Sequence, residues 1–314
     1  MKLINQKQIM DLNIQPVECL SWVKESFALK DKSILPPKTP LHTHDIDFFT
    51  SMPCAIPELN VFGVKVVHRI NGAVPSLGSD IMLYDIINGD LLAIMDGNWI
   101  TAMRTGAVAV LATQTLKKSN DIRYGVIGLG NTARATILCL LESEPDLLHQ
   151  ISLLKYKDQH QLFIERFSEY KNVEFTVFEN VADLIRSTNV LYSCLTESDK
   201  LICNDDSAFQ EGFLLVPVHT RGFQNCDLFF DKVFADDTGH VKGFKFFDRF
   251  KYFDEIQNVI SGKKPGRETD KERIISYNVG IGLHDIFFAK KIYNSFYNKG
   301  EDVQIPKIKE KFWI

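Results

Sequence analysis

Apolar and polar positions between about residue 121 and residue 237 alternate in blocks that are typical of strands and helices. Apolar runs predict strands at residues 122–127, 150–156, 173–178, 190–195, 213–218 and 232–235. Helical spacing between them predicts helices at residues 132–141, 159–169 and 181–186. This alternation predicts an α/β fold with a Rossmann-type, doubly wound parallel sheet, whose ligand crevice lies at the carboxyl ends of the strands.

The chain before about residue 118 has a different pattern. Residues 61–68 and 81–87 are predicted strands next to the turn signals Asn71-Gly72 and Asn88-Gly89, which indicates antiparallel pairing. Small and apolar side chains predict a long helix at residues 98–116, and a C-terminal helix is expected at residues 282–297. We expect that last helix to return to the first part. Residues 1–118, completed by residues 281–314, would then form a discontinuous α+β domain, and residues 119–280 the Rossmann domain.

The first predicted strand of the Rossmann domain ends in a glycine-rich turn. Gly128 permits a tight turn, and Gly130 lets a pyrophosphate approach the backbone. Asn131 and Thr132 open the following helix, whose free N–H groups favour an anion, and Ala133 is small enough for the helix to pack on the strand. A GxGxxA pattern alone also occurs in plain structural turns, but the apolar strand before it favours a dinucleotide site.

Two lysines follow the second predicted strand of that domain. An acidic residue at this point would bind the ribose 2′-hydroxyl of NAD, whereas Lys155 and Lys157 would attract a 2′-phosphate. The pattern therefore favours NADP, while Asp158 keeps NAD open and solvated surface lysines are the structural alternative. Thr196, just after the fourth predicted strand, is a further candidate for cofactor binding because it lies at the same edge of the sheet.

Composition narrows the class of protein. The formal net charge of −4 argues against nucleic-acid binding, which favours a basic surface. No apolar run is long enough to span a membrane, and the first residues do not resemble a signal peptide. Six scattered cysteines without a CxxC pair indicate free thiols. We expect a cytoplasmic protein that binds a small molecule and neither nucleic acid nor membrane.

Three charged or titratable residues are candidates for chemistry. Lys65 lies in the apolar run at residues 61–67, where a buried amine would suit proton transfer, although an outward-facing lysine is equally compatible. Arg104 lies on the predicted long helix and could hold a carboxylate with both nitrogens, or pair structurally with Asp96. His219 ends a predicted strand at the crevice, either as a proton donor or acceptor or as a polar cap.

A metal site is the weaker interpretation of the pair His42 and His44. On a strand the two imidazoles would share one face next to Asp45 and Asp47, but no third ligand follows at motif spacing. The pattern therefore favours a polar loop, and no metal is expected.

Several segments together resemble the ornithine cyclodeaminase/mu-crystallin family over nearly the whole chain. Besides the turn at residues 128–133 and the strand around Lys65, they are residues 96–107 (DGNWITAMRTGA), 259–266 (VISGKKPG) and 278–285 (NVGIGLHD). Within the family, residues 232–237 (KVFADD) and 265–270 (PGRETD) look most like the branch of N-(2-amino-2-carboxyethyl)-L-glutamate dehydrogenases.

The resemblance implies a homodimer in which the discontinuous domain forms the interface and part of the substrate site. It implies that Lys65 is the catalytic lysine near the substrate nitrogen and Cα, and that Arg104 binds the α-carboxylate. Where the family often has an arginine on that carboxylate, this chain has Lys38. Where cyclodeaminases have an aspartate that aids ring closure, it has His219, Thr220 or Arg221, depending on the alignment.

The prediction is an NAD(P)-dependent oxidoreductase that acts on the Cα–N bond of an amino acid, an N-substituted amino acid or a ketimine. One alternative is an ornithine cyclodeaminase-type ammonia lyase with bound NAD, which the missing aspartate disfavours. The other is a non-catalytic, crystallin-like binder, which Lys65 and Arg104 disfavour. The substrate side chain, the choice between NAD and NADP, and the physiological direction stay open.

Overall fold

The computed structural model describes residues 1–44, 47–195, 198, 200–219, 221–299 and 302–304. The chain forms two compact units. The first consists of Met1–Asn13, Leu29–Ile100 and the chain from Asp285 onward, and the second of Ile14–Ala28 and Thr101–His284. Both units are thus discontinuous in sequence. The functional domain boundaries at residues 118 and 281 stay a prediction.

The first unit is built on a mainly antiparallel sheet. In the described part of the chain its spatial order is β1-β6-β5-β4-β3-β2, and only the β1–β6 pair is parallel. The strands are β1 (Lys2–Ile4), β2 (Thr39–His42), β3 (Phe48–Ile56), β4 (Val61–Arg69), β5 (Leu77–Asp85) and β6 (Leu91–Asp96).

Side chains on β4 alternate between a covered and a more open face of this sheet. Val61, Gly63 and Lys65 are buried, whereas the residues between them are only partly covered. An added Cβ on Gly63 would lie 2.5 Å from Ile286 Cδ1, so the C-terminal helix approaches the buried face at van der Waals distance. The alternation therefore directs Lys65 into the interior of the unit.

The second unit contains a parallel sheet. Its strands lie in the order β13-β12-β14-β11-β10-β7-β8-β9 among the described residues. They are β7 (Arg123–Ile127), β8 (His149–Leu154), β9 (Val173–Phe178), β10 (Val190–Ser193), β11 (Leu214–Pro217), β12 (Lys232–Ala235), β13 (Phe253–Glu255) and β14 (Ile274–Tyr277). The order of strands reverses at β7 and β10, which confirms the predicted α/β fold with a doubly wound parallel sheet.

The long helix begins and ends where the sequence indicated. The helices of the described chain comprise all the predicted ones and four that were not predicted, at Gln6–Met10, Pro16–Ala28, Thr238–Val241 and Ile256–Ile260. They are α1 (Gln6–Met10), α2 (Pro16–Ala28), α3 (Asn98–Leu116), α4 (Asn131–Ser143), α5 (Gln159–Arg166), α6 (Val181–Arg186), α7 (Thr238–Val241), α8 (Ile256–Ile260) and α9 (Gly282–Phe296). No helix in the described ranges is long and apolar enough to cross a membrane. All six cysteines, which lie in those ranges, are free thiols.

The predicted strand that differs most from the structure is the one at residues 81–87. The sequence suggested residues 81–87, but β5 covers Leu77–Asp85. The strand stops there because the Asp85 carboxylate accepts a hydrogen bond of 2.7 Å from the Ile87 N–H, which closes a turn. Ile86 and Ile87 are therefore exposed turn residues despite their apolar side chains.

Candidate functional site

The turn after β7 has the backbone that a dinucleotide site requires. Gly128 has φ = +81°, and an added Cβ would lie 2.8 Å from the carbonyl carbon and oxygen of Cys194. Gly130 is the N-cap of α4, and an added Cβ there would meet nothing within 4 Å. Ala133 is fully buried, while Asn131 and Thr132 are accessible at the open end of the helix. The turn thus presents free backbone N–H groups to an approachable space.

The lysines proposed to discriminate between the cofactors lie just beyond β8. This strand ends at Leu154 and not at residue 156, so Lys155 and Lys157 belong to the following turn. Lys155 Nζ donates to Glu179 Oε1 at 2.6 Å, and this hydrogen bond raises the pKa of Lys155 and lowers that of Glu179. Lys157 has φ = +47°, and its Nζ lies 5.4 Å from the centre of the Tyr156 ring. A carboxylate therefore shares this edge with the two cations.

Lys65 forms a buried ion pair in the first unit. Its Nζ lies 2.7 Å from Asp285 Oδ1, and the side chains are 1% and 0% exposed. Of the two orientations open from the sequence, the structure has the buried one. Burial and the negative charge of Asp285 together raise the pKa of the neighbouring Cys54 thiol to about 12, so that thiol stays neutral.

Arg104 lies on α3 in the second unit and is 5% exposed. Its guanidinium touches Gly280, where an added Cβ would lie 2.6 Å from Nη1 and 3.0 Å from Nη2. Gly280 has φ = +84°, and its N–H donates to Asp236 Oδ2 at 2.6 Å. Asp96, the structural partner considered for Arg104, accepts a 2.8 Å hydrogen bond from the Asn98 N–H at the start of α3.

His219 and Ser193 meet at the carboxyl ends of the adjacent strands β10 and β11. Ser193 Oγ lies 2.6 Å from His219 Nε2, and both residues are buried. Desolvation lowers the pKa of His219 to about 4, with a hydrogen bond to the Arg221 backbone acting in the opposite direction. The imidazole is therefore neutral at pH 7. Thr220, the third candidate for the aspartate position, lies outside the described residues.

The remaining candidates are Lys38, the pair His42 and His44, and Thr196. Lys38 is half-buried just before β2. His42 ends the exposed strand β2 and His44 lies beyond it, so the two imidazoles do not share a strand face. Among the described residues no group of three His, Cys, Asp or Glu side chains could hold a metal ion. Thr196 and Asp45 lie outside the described residues.

Asp285, Asp236 and Ser193 were not among the predicted site residues. The sequence marks residues 278–285 only as a family-like segment, and residues 232–237 (KVFADD) only as a feature of one branch. Their partners are distant in sequence, so the contacts could be seen only once the strands and helices were assembled.

The model of the ornithine cyclodeaminase/mu-crystallin family matches residues 2–300 of this chain. The chain belongs to this family. The resemblance read from the sequence motifs is thereby confirmed.

Two similar proteins have named activities. A Delta(1)-pyrroline-2-carboxylate reductase of Bacillus cereus is 27% identical in an alignment of 315 positions, gaps included. The alignment covers 94% of this chain and 95% of the reductase. An N-((2S)-2-amino-2-carboxyethyl)-L-glutamate dehydrogenase of Staphylococcus aureus is 25% identical over 216 residues, which cover 64% of this chain and 63% of that enzyme.

Two solved structures share the fold. The Thermococcus litoralis Delta(1)-pyrroline-2-carboxylate reductase, in complex with NADH and L-proline, superposes with a TM-score of 0.85 at 22% identity, over 96% of this chain and 100% of that one. An archaeal alanine dehydrogenase dimer with bound NAD has a TM-score of 0.83 at 22% identity, over 96% and 98% of the two chains.

Proposed function

We propose that this protein is an NAD(P)-dependent oxidoreductase that acts on the Cα–N bond of an imino or amino acid. The observation that carries the proposal is the dinucleotide turn at residues 128–133 in a chain of this family. The named relatives, which are reductases or dehydrogenases of such substrates, support it. A shared fold does not by itself determine an activity, so the activity is argued from specific side chains.

Four residues receive roles in this proposal. Arg104, assisted by Lys38, binds the substrate α-carboxylate and so orients Cα, and His219 is assigned to substrate binding as well. Lys65 exchanges a proton with the substrate nitrogen. The nicotinamide supplies or accepts the hydride when it is bound. In the reductive direction Cα gains a hydride, the C=N π electrons pass to nitrogen, and nitrogen takes a proton.

The cofactor preference is inferred to be NADP over NAD, by a small margin. Lys155 and Lys157 follow β8, the strand next to the glycine-rich turn, where cations favour a 2′-phosphate. The Glu179 carboxylate, 2.6 Å from Lys155 Nζ, offsets part of that charge and narrows the preference. The structures with bound NADH or NAD support a nicotinamide dinucleotide without deciding between the two forms.

We further infer a homodimer formed through the open face of the first unit's sheet. This face is mostly apolar, with Ser51, Asp80 and Asp96 at one end, but is only partly covered within one chain, which is unusual for a monomeric protein. The alanine dehydrogenase dimer supports a second copy as its occupant. The partly covered residues of this face are Pro53, Ala55, Phe62, Val64, Val66, Met82, Tyr84 and Ile94.

The proposal is tested by following nicotinamide absorbance on pure protein. NADH and NADPH are supplied separately with cyclic ketimines and with keto acids plus amines, and NAD or NADP with amino acids in reverse. Oxidation of a reduced cofactor with one substrate class is the expected result. Release of ammonia and a cyclised amino acid without net reduced cofactor would establish a cyclodeaminase instead. Nucleotide binding without turnover of any substrate would establish a binder.

Lys65→Ala should abolish turnover and leave the dissociation constant of the nucleotide unchanged. Lys2→Ala is the matched control, because Lys2 is also a buried lysine of this sheet and pairs with Asp302 at 3.2 Å. It should keep turnover near the wild-type value. Full activity of Lys65→Ala would refute the role of Lys65, as would equal losses in both variants.

A further inference from the structure

The Lys65–Asp285 pair has a defined direction. Asp285 lies in the first turn of α9, where the helix dipole favours a negative charge. Lys65 lies in the middle of β4 and donates to that carboxylate at 2.7 Å. Both side chains are buried away from solvent. An isolated charge in such an interior would be strongly unfavourable. Each charge therefore stabilises the other, and the ammonium group is fixed in one orientation.

The packing around the pair enforces this distance. Gly63 faces Ile286, the residue after Asp285, and an added Cβ would lie 2.5 Å from Ile286 Cδ1. A larger residue at position 63 would clash with the Ile286 side chain, and also with the Met82 carbonyl oxygen at 2.9 Å. The neighbouring Cys54 thiol has a raised pKa and stays neutral, so it does not act as a second anion beside Asp285 for the ammonium group. Strand, glycine and helix together hold the carboxylate against the amine.

We propose that Asp285 is a positioning residue for the reaction, which orients Lys65 Nζ and stabilises its charged form for proton transfer to the substrate nitrogen. This role rests on the proposed function of Lys65. In the reductive direction the proton passes from Lys65 to the substrate nitrogen, while Asp285 stays a carboxylate throughout. Lys65 then recovers a proton from solvent, so that charge and protons balance over one turnover.

The test is a double-mutant cycle on the full-length protein. Asp285→Asn keeps the size of the side chain and removes its charge. We expect its kcat to fall at least tenfold, with the nucleotide dissociation constant unchanged. Lys65→Met should abolish most turnover, and adding Asp285→Asn to that variant should cause no further loss. Asp227→Asn is the matched control, since Asp227 is a buried carboxylate that accepts from Tyr277 Oη at 2.7 Å in the other unit.

The kinetic outcomes decide the proposal, and thermal unfolding separates it from a failure of the proposed function. Wild-type kcat in Asp285→Asn would overturn the proposal, as would a kcat loss equal to that of Asp227→Asn. If the wild-type protein turned over no substrate of the panel, the proposed function would fail, and the pair would be judged by thermal unfolding. If the Lys65→Met/Asp285→Leu double variant melted near the wild-type temperature while both single variants melted lower, the two charges would be shown to stabilise each other. Additive changes in melting temperature would show that they do not.

Discussion

Replacing Gly280 with alanine should separate the placement of Arg104 from the stability of the fold. Gly280 has φ = +84°, a backbone conformation that costs an L-residue ~1–2 kcal/mol. Its new Cβ would lie 2.6 Å from Arg104 Nη1, closer than non-bonded atoms approach. The guanidinium is the far end of a flexible side chain and can move away at small cost in free energy. Such a movement displaces the group that we propose binds the carboxylate.

The magnitude follows from the geometry. Restoring an ordinary contact requires the guanidinium to move by about 1 Å, and a misplacement of that size can lower a rate on the order of 100-fold. The backbone strain alone should lower the free energy of unfolding by ~1–2 kcal/mol, a loss of a few degrees in melting temperature. We therefore expect a modest loss of stability and a large loss of kcat/KM.

Gly262→Ala provides the matched control for this variant. Gly262 has φ = +73° in the same unit, and an added Cβ there would meet nothing within 4 Å. Both variants should show a similar drop in melting temperature, whereas only Gly280→Ala should lose kcat/KM in the cofactor absorbance assay. Wild-type kcat/KM in Gly280→Ala would refute the reasoning. An equal loss of kcat/KM in Gly262→Ala would show that backbone strain, not the Arg104 contact, causes it.

Three further predictions concern the cofactor, pH and assembly. Glu179→Gln should release Lys155 from its ion pair and lower the dissociation constant of NADPH relative to that of NADH about three- to fivefold in fluorescence titrations. An unchanged ratio of the two constants would show that the 2′-phosphate does not bind at Lys155. The imidazole of His219 takes a proton only near pH 4 when folded but near pH 6.5 when unfolded, so its contribution to stability is complete above pH 6.5 and is lost towards pH 4. In urea unfolding, the free energy of unfolding of the wild type should therefore fall by ~2 kcal/mol more between pH 7.5 and pH 5.0 than that of His219→Gln. Equal falls in the two proteins would contradict a buried, neutral His219. Val64→Arg should convert the dimer to a monomer in light scattering, whereas Val74→Arg, at a residue that is 98% exposed, should not; a dimeric Val64→Arg protein would exclude this face.

The elements that the sequence predicted best are those whose local pattern and tertiary environment agree. The strands at Val173–Phe178 and Lys232–Ala235 and helix α3 have the predicted bounds. Lys232–Ala235 is a mostly apolar run buried in the parallel sheet. Val173–Phe178 is an edge strand of that sheet, where alternating apolar and polar residues suit partial exposure. Small residues let α3 pack closely. An added Cβ on Gly106 of α3, for example, would lie 2.6 Å from the backbone of Ala135.

Strand β3 shows why other elements could not be predicted. Pro53 lies inside this nine-residue strand, although proline is normally excluded from central strands. The structure tolerates it because β2 begins at Thr39, opposite Ser51, and so does not pair with β3 at Pro53. The Ala55 N–H, on the same side, donates to Ile34 at 3.0 Å. The position of the missing proline N–H therefore faces a gap in the hydrogen bonds along β3. That gap exists because β2 is short, which the sequence around Pro53 does not show.

Residues 278–285 show the same limit for the candidate site, and they also indicate how it is built. In the sequence alone, residues 278–285 (NVGIGLHD) show only a resemblance to a segment of the family. In the structure Gly280 provides the left-handed backbone beside Arg104, and Asp285 provides the carboxylate paired with Lys65. Helix α9 begins between them at Gly282, so Asp285 lies in the first turn of that helix. This short segment therefore carries one contact in each unit. Inserting one alanine after Ile281 should consequently lower turnover more than Gly280→Ala does, and an insertion variant with wild-type activity would show that the two contacts are not set by this segment.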